Sequence, residues 1–190
     1  KKDKCMQNKG TLSAVMCNYN HGHYIQEALQ AILSQSLPPF EVIVFDDGST
    51  DNSVQIIEDI AEKNPSVKFY RNVKNEGVWY SSNRGAKIAT GEYIYFCAAD
   101  DRVCPGFFEK SVKILNQNPQ AGLSSALLKI IGKDGNDEMW AKTPVISSTE
   151  CFLSTDQVRK TLLKHGFWFT GHTVIFRRDY IFKDEDADVW

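Results

Sequence analysis

AVMCNYNHGHYIQEALQAILSQSLPPFEVIVFDDGSTD, residues 14–51, decides the fold. It opens inside an apolar run, residues 11–17, bounded by polar turns, the pattern of a strand buried on both faces. Ile25, Ala28, Leu29, Ile32 and Leu33 then recur at helical spacing and form one apolar stripe. Pro38-Pro39 breaks the chain before a second apolar run, residues 41–45. Asp46-Asp47-Gly48 is a turn, and Ser49, Thr50 and Asp51 each offer an oxygen to cap the next helix, whose inner face carries Val54, Ile57 and Ala61.

The same alternation continues outward. Residues 67–70 read as a third strand, 78–90 as a third helix ended at Gly91, and 92–98 as a fourth strand. Strand starts about thirty residues apart are the span of a strand–helix–strand unit. Strict alternation predicts an α/β fold: an open, mostly parallel sheet with helices on both faces. After Asp101 the pattern shifts. Residues 107–116 and 155–165 read as helices and 173–177 as a strand. Residues 122–131 read as one strand entering a hairpin through Lys133-Asp134-Gly135-Asn136.

Composition removes several function classes. The 190 residues carry 22 Lys and Arg against 24 Asp and Glu, a net charge of −2, which gives no reason to expect nucleic acid as a partner. No apolar run is long enough to span a bilayer, which leaves room for peripheral membrane association. Cys5, Cys17, Cys97, Cys104 and Cys151 are odd in number and lack CxxC spacing, so they read as reduced thiols of a reducing compartment. Neither a Walker sequence nor GxGxxG occurs, against ATPase and dinucleotide-oxidoreductase readings.

Ligands of open α/β sheets bind beyond the carboxyl ends of the strands. The polar residues there are Asn18-Tyr19-Asn20, Asp46-Asp47-Gly48, Asn75-Glu76-Gly77 and Asp100-Asp101. Adjacent carboxylates repel unless solvated or bridged by a cation. Mg²⁺ and Mn²⁺ are commonly held by one or two carboxylates plus substrate phosphates, which makes Asp100 and Asp101 candidate metal ligands. The ordinary alternative is a strand-end turn, but this pair closes an apolar strand. Asp47 reads either as part of an ordinary Asp-Gly turn or as an acceptor for a nucleobase N–H, and Tyr19 either as a half-buried aromatic beside the helix or as a flat face for stacking. His21 and His23 read as a solvated helix entrance, and His172 as a half-buried strand edge rather than an acceptor contact or metal ligand. Arg159, Lys160 and Lys164 read as a solvated face.

Three stretches together, residues 14–51, NEGVWYSSNRGAKIATGEYIYF (75–96) and CAADD (97–101), resemble family 2 of the nucleotide-sugar glycosyltransferases. The resemblance implies the GT-A fold, with a Rossmann-like nucleotide-sugar-binding half over residues 1–104. An acceptor-side half, residues 105–190, is expected to be incomplete at its C-terminus. It implies that Asp47 contacts the nucleobase, that Tyr19 packs on it, and that Cys17 contributes through its backbone, with Asn20 in the same cluster. Asn75, Gly77, Asn83 and Gly85 match the family's N-x-G…N-x-G pattern. By similarity Asp100 lies near the ribose or its metal-bound phosphates and Asp101 ligates Mn²⁺ or Mg²⁺. Ser82 stands where many members have Arg, with Arg84 as a substitute, and Ala98 replaces the first Asp of the longer signature. Glu185-Asp186-Ala187-Asp188 resembles the Glu-Asp pair that supplies the general base, Asp186 first and Asp188 second.

The expected activity is inverting transfer of a sugar from a nucleoside diphosphate donor, UDP first, to a hydroxyl of a saccharide or lipid-linked acceptor. The setting implied is bacterial surface polysaccharide or glycolipid synthesis, in the cytoplasm or at the inner face of the membrane. The rivals are a non-catalytic nucleotide-sugar-binding domain and a nucleotidyltransferase, whose Gly-rich activating loop Asn18-Tyr19-Asn20-His21-Gly22 does not resemble.

Overall fold

The computed structural model describes residues 10–132 and 138–182. The first half alternates as the sequence predicts: β1 Leu12–Asn18, α1 Ile25–Leu33, β2 Glu41–Asp46, α2 Ser53–Lys63, β3 Val67–Arg71, α3 Val78–Ile88 and β4 Tyr93–Ala98. The second half contributes α4 Phe107–Gln117, β5 Leu123–Ser125, β6 Lys129–Ile131, β7 Glu138–Trp140, α5 Thr155–His165, a short 3₁₀ turn Gly171–Thr173, β8 Val174–Arg177 and α6 Arg178–Ile181. Among the described residues no helix is long and apolar enough to cross a membrane.

The six-stranded sheet has the order β3-β2-β1-β4-β8-β5. β1 pairs in parallel with β2 on one side and β4 on the other, Ser13 opposite both Glu41 and Ile94. β1 is therefore where the strand order reverses. β8 joins antiparallel to β4, and β5 antiparallel to β8, making the sheet mixed.

Strand side chains alternate between faces. Leu12, Ala14, Met16, Val42, Val44, Tyr93 and Tyr95 pack with Ile25, Leu29 and Ile32 of α1, Ile57 of α2 and Phe108, Val112 and Leu115 of α4. Val15, Ile43, Phe45, Ile94 and Phe96 face the other way, against Ala86 and Ala89 and the partly buried Phe176, Ile181 and Phe182. Helices thus cover both faces. Most of these side chains are at most 2% exposed, and each such burial contributes about 1.5–3 kcal/mol. Gly85 brings α3 onto β1: a Cβ there would lie 2.4 Å from Val15 Cγ1.

Two local expectations are corrected. Residues 122–131 are two strands. β5 ends where Ser125 meets Val174, the first residue of β8, with one further bond from Ala126 N–H to Thr173 O (2.9 Å). The chain leaves the sheet, and β6 pairs with β7 as a separate two-stranded ribbon. The N-cap of α2 is Asn52, without a side-chain cap bond. Asp51 instead accepts from Ser53 N–H (3.0 Å) and Gly22 N–H (2.8 Å), tying the loop after β1 to that after β2. The four described cysteines are free thiols; Cys97 is buried, Cys17 partly buried, and Cys104 and Cys151 exposed.

At the amino end of the sheet, Glu41 is only 1% exposed. It accepts from Ser13 Oγ (2.7 Å), Thr90 N–H (2.7 Å) and Thr90 Oγ1 (2.8 Å), and pairs with Lys68. Burial alone would raise its pKa, but the Lys68 ammonium and the Thr90 and Ser13 donors outweigh this and hold it below the usual value. One carboxylate so joins β1, β2, β3 and the α3–β4 turn. Because its folded pKa is depressed, its contribution is present above the unfolded value, about 4.3, and lost as pH falls through the folded one. Glu41→Gln should cost about 2 kcal/mol at pH 7, and the gap to wild type should narrow progressively as pH falls below about 4.3, as read by urea unfolding at a series of acidic pH values. A gap that does not change with pH would contradict the charge-based account.

Candidate functional site

The carboxyl ends of β1 and β4 flank the reversal in strand order, and four loops meet around them. The first follows β1. Asn18 is buried and donates to Asp46 Oδ1 (2.8 Å) and Ser49 Oγ (3.1 Å). Asn20 adopts a left-handed φ of 56°, which asparagine tolerates. Its N–H donates to Ser49 Oγ (2.9 Å), and its Oδ1 accepts from Thr50 N–H (2.8 Å). Asn20 thus stitches the β1 loop to the β2 loop. Tyr19 between them is 43% exposed, leaving a ring face for a ligand.

Asp47 ends the β2 turn and is 4% exposed. Its Oδ1 accepts from Asn72 Nδ2 (2.7 Å), Glu76 N–H (3.0 Å) and Ser81 Oγ (3.4 Å), and its Oδ2 from Gly77 N–H (2.8 Å). Burial would raise the carboxyl, but the donors of Glu76, Asn72, Gly77 and Ser81 outweigh it and hold Asp47 ionised below the usual range. The sequence reads Asp47 as part of a turn and as a contact to a base; in the structure its carboxylate also folds the β3–α3 loop. Asn75 is exposed and accepts from Gly77 N–H (3.0 Å), and Gly77 is the N-cap of α3. Asn83 is half-buried on α3. Cys17 is held 3.3 Å from Ser82 Oγ. Its thiol is pushed up to about 11, chiefly by burial, with the Ser82 hydrogen bond opposing and the Asp47 charge adding, so it is neutral at pH 7.

Arg84, two residues beyond Ser82, is engaged by its own neighbours. Its guanidinium lies over the rings of Phe45 (4.9 Å) and Tyr80 (5.5 Å) and donates to Asn72 Oδ1 (2.6 Å).

The fourth loop follows β4. Asp100 is exposed and Asp101 partly exposed. Here the structure overturns the reading of His172 as a plain strand edge: its Nδ1 lies 3.0 Å from Asp101 Oδ2. The hydrogen bond to Asp101 raises the imidazole above its ordinary value, opposed by burial and reinforced by the charges of Asp101 and Asp100. Tyr95, 2% exposed, donates from its hydroxyl to His172 O (3.1 Å) and fixes the backbone that carries the ring. His172 comes from the 3₁₀ turn just before β8, far downstream of Asp101, and the antiparallel pairing of β8 with β4 brings it here. The aromatic run Phe167-Trp168-Phe169 just before it was the sole local signal. Asp186 and Asp188 lie outside the described residues.

Asp101 and His172 are a donor set suited to a divalent cation that also takes oxygens from its substrate. Among the described residues no group of three or more His, Cys, Asp or Glu side chains is gathered into a full metal cage.

An open, doubly covered α/β sheet with a carboxylate-lined crevice at its switch point is the class of domain that takes phosphorylated ligands there. The model of Glycosyl transferase family 2 matches residues 13–183, and the chain belongs to that family. A protein of Haemophilus influenzae named an uncharacterized glycosyltransferase is 29% identical over 197 residues, covering 97% of this chain and 60% of that one. Staphylococcus aureus TarS 1–349 in complex with UDP superposes with a TM-score of 0.66 at 25% identity, over 94% of this chain and 51% of that one. The mannosyltransferase PcManGT of Pyrobaculum calidifontis, in complex with GDP-Man and Mn²⁺, gives 0.63 at 20% identity, over 93% and 48%. The fold is therefore of the GT-A type, and the chain spans about half to three-fifths of these relatives.

Gly48 lets the Asp47 turn close on the β3–α3 loop: its φ is +78°, and a Cβ would lie 2.7 Å from the carbonyl carbon of Lys74. Gly48→Ala should therefore destabilise the protein by about 1–3 kcal/mol. Thermal unfolding measures it, and an unchanged midpoint would show that the turn tolerates a side chain.

Proposed function

We propose that this chain is the donor-binding and transfer region of an inverting glycosyltransferase. It moves a sugar from a nucleoside diphosphate sugar, UDP-linked first, to a hydroxyl acceptor, with Mn²⁺ or Mg²⁺. The observation that carries the reading is the meeting of Asp101 and His172 at the carboxyl end of β4, 3.0 Å apart, in the crevice that Asp47 also borders. Family membership supports the reaction class, and the UDP and GDP-Man complexes of the two superposed enzymes support a nucleotide-sugar donor.

Each residue then has a task. Tyr19 stacks on the base and Asp47 accepts its N–H, while Cys17, Asn20, Asn75, Gly77 and Asn83 shape the nucleoside pocket. Asp101, with Asp100 and His172 beside it, holds the cation, which when bound neutralises the leaving diphosphate. His172 has to give up its proton to serve as a ligand, so binding of the cation is favoured as pH rises. Residues 1–104 form the donor half and 105–190 the acceptor half. The latter exposes Trp140, Leu163 and Phe167, surfaces suited to a saccharide or lipid-linked acceptor. Such an acceptor fits surface polysaccharide or glycolipid synthesis at the inner face of a membrane.

Inversion needs one base opposite the leaving group, and we assign it to Asp186, then Asp188.

Asp101→Ala should weaken UDP binding at least about tenfold in Mn²⁺ and leave it unchanged in chelator, as read by calorimetry. Equal affinities of variant and wild type in Mn²⁺ would remove Asp101 from the metal site. Asp186→Asn should lower transfer about a hundredfold or more while sparing UDP affinity. If transfer persists, and falls in Asp188→Asn instead, the base is the second carboxylate; if both variants transfer normally, the base lies elsewhere.

A further inference from the structure

α5, Thr155–His165, runs 11 residues without one buried side chain. Its start is fixed by a capping box: Gln157 N–H donates to Ser154 Oγ (3.4 Å), and Ser154 N–H donates to Gln157 Oε1 (2.8 Å). Val158, Thr161 and Leu162 are half-buried and hold its inner side. A helix this short is marginal in water by itself, so the cap and those contacts keep it formed.

The outer side is a different surface. Arg159, Lys160, Leu163 and Lys164 recur at helical spacing and are all exposed. Leu163, set among the three cations, is 89% exposed, and Phe167, just past the helix end at Gly166, is 76% exposed. Among the described residues none of the three cations is paired with a carboxylate. The helix carries one carboxylate of its own, Asp156, in the first turn, where the helix dipole favours it. Lys160, Lys164 and His165 also border a groove of about 270 Å³ that Val145 and Ile146 line with them. Cations and apolar side chains thus share one face, in a chain whose net charge is −2.

A single exposed leucine needs no partner. A basic helix face with apolar tips is complementary to the interface of an anionic bilayer: the cations meet lipid phosphates, and the tips enter the boundary with the acyl chains. A free phosphate would use the cations and leave Leu163 and Phe167 in water. The position of the face along the chain suits the site as well. From Phe167 the chain runs through the half-buried Trp168 and Phe169 to His172, whose ring meets Asp101. At most about 18 Å of extended chain separates Phe167 from His172. A bilayer held on α5 is therefore close to the crevice at which an acceptor hydroxyl has to arrive.

We propose that the outer face of α5, with Arg159, Lys160 and Lys164 around Leu163 and Phe167, docks the protein on an anionic phospholipid surface. Its purpose rests on the reading of a lipid-linked acceptor; the docking itself needs neither donor nor transfer and is measured without them. Raised salt weakens the docking, because the cations act through charge that ions screen.

The test is co-sedimentation with vesicles of phosphatidylcholine and phosphatidylglycerol, against vesicles of phosphatidylcholine alone. The proteins are wild type, the triple variant Arg159→Gln, Lys160→Gln, Lys164→Gln, and Leu163→Ser, each also titrated with UDP in Mn²⁺. The substituted side chains are exposed, so the variants should fold, which thermal unfolding checks. The expected result is binding of wild type to the anionic vesicles only. The triple variant should bind them about a hundredfold more weakly, about fivefold for each cation, with UDP affinity unchanged. Leu163→Ser should bind them about tenfold more weakly. Should the triple variant fail to fold, Lys164→Gln alone is read in the same way, for about a fivefold loss. Equal binding to both kinds of vesicle, or either variant binding like wild type, overturns the proposal. Inorganic phosphate that displaces the protein from the vesicles at constant ionic strength gives the cations to a free anion and also overturns it. So does a dimer, seen by sedimentation velocity, that the triple variant abolishes, since the face then belongs to a second copy. A wild type that binds UDP but no vesicles overturns the docking face alone, and one that binds anionic vesicles but no UDP overturns the donor reading alone.

Discussion

The Asp47 carboxylate is the constraint on which the rest of the crevice depends. It sits buried just beyond the carboxyl end of a strand, so its charge must be met by protein donors. Those donors all come from one place, the loop and first turn between β3 and α3: Asn72, Glu76, Gly77 and Ser81. Satisfying one charge therefore folds a loop and seats the start of α3 beside β1, close enough for Cys17 to meet Ser82. Gly48 is the steric counterpart of this closure, since the turn and the loop approach too closely for a side chain.

A second constraint comes from topology. Parallel pairing of β1 with β2 and β4 opens a crevice where the order reverses, and this alone supplies Asp47 on one wall and Asp101 on the other. The Asp101 side is finished by a segment of the second half. β8 enters antiparallel beside β4, and the turn just ahead of it carries His172 to Asp101 while Tyr95 pins the backbone from below. The two halves are thus joined at Asp101, so disturbance of β8 reaches that carboxylate even though Asp101 itself is unchanged.

The first hundred residues were legible because their signals are local. Apolar runs, helical stripes and the polar residues closing each strand all repeat within a few residues, and the carboxylates fell at strand ends where the sheet's geometry puts ligands. What was not legible depends on pairing between distant segments. His172 looks ordinary beside its own neighbours; its proximity to Asp101 follows from an antiparallel strand that no periodicity announces. The break of residues 122–131 into β5 and β6 follows from where β8 begins, which is likewise a property of the partner. The partners of Arg84 were likewise hidden, because spacing along a helix does not reveal that Phe45, Tyr80 and Asn72 wait on that side. The acidic run at 185–188 resembles the family's base, and its place in space is not fixed by that likeness.

The central claim is that the crevice between β1 and β4 holds a metal-bound nucleoside diphosphate. Anomalous scattering from Mn²⁺ in crystals grown with UDP tests it most directly. The account predicts a single strong peak in contact with the Asp101 carboxylate and the diphosphate, with the uracil on Tyr19. A peak elsewhere, or UDP bound in the crevice with Asp101 still paired to His172 and no metal between them, would contradict it.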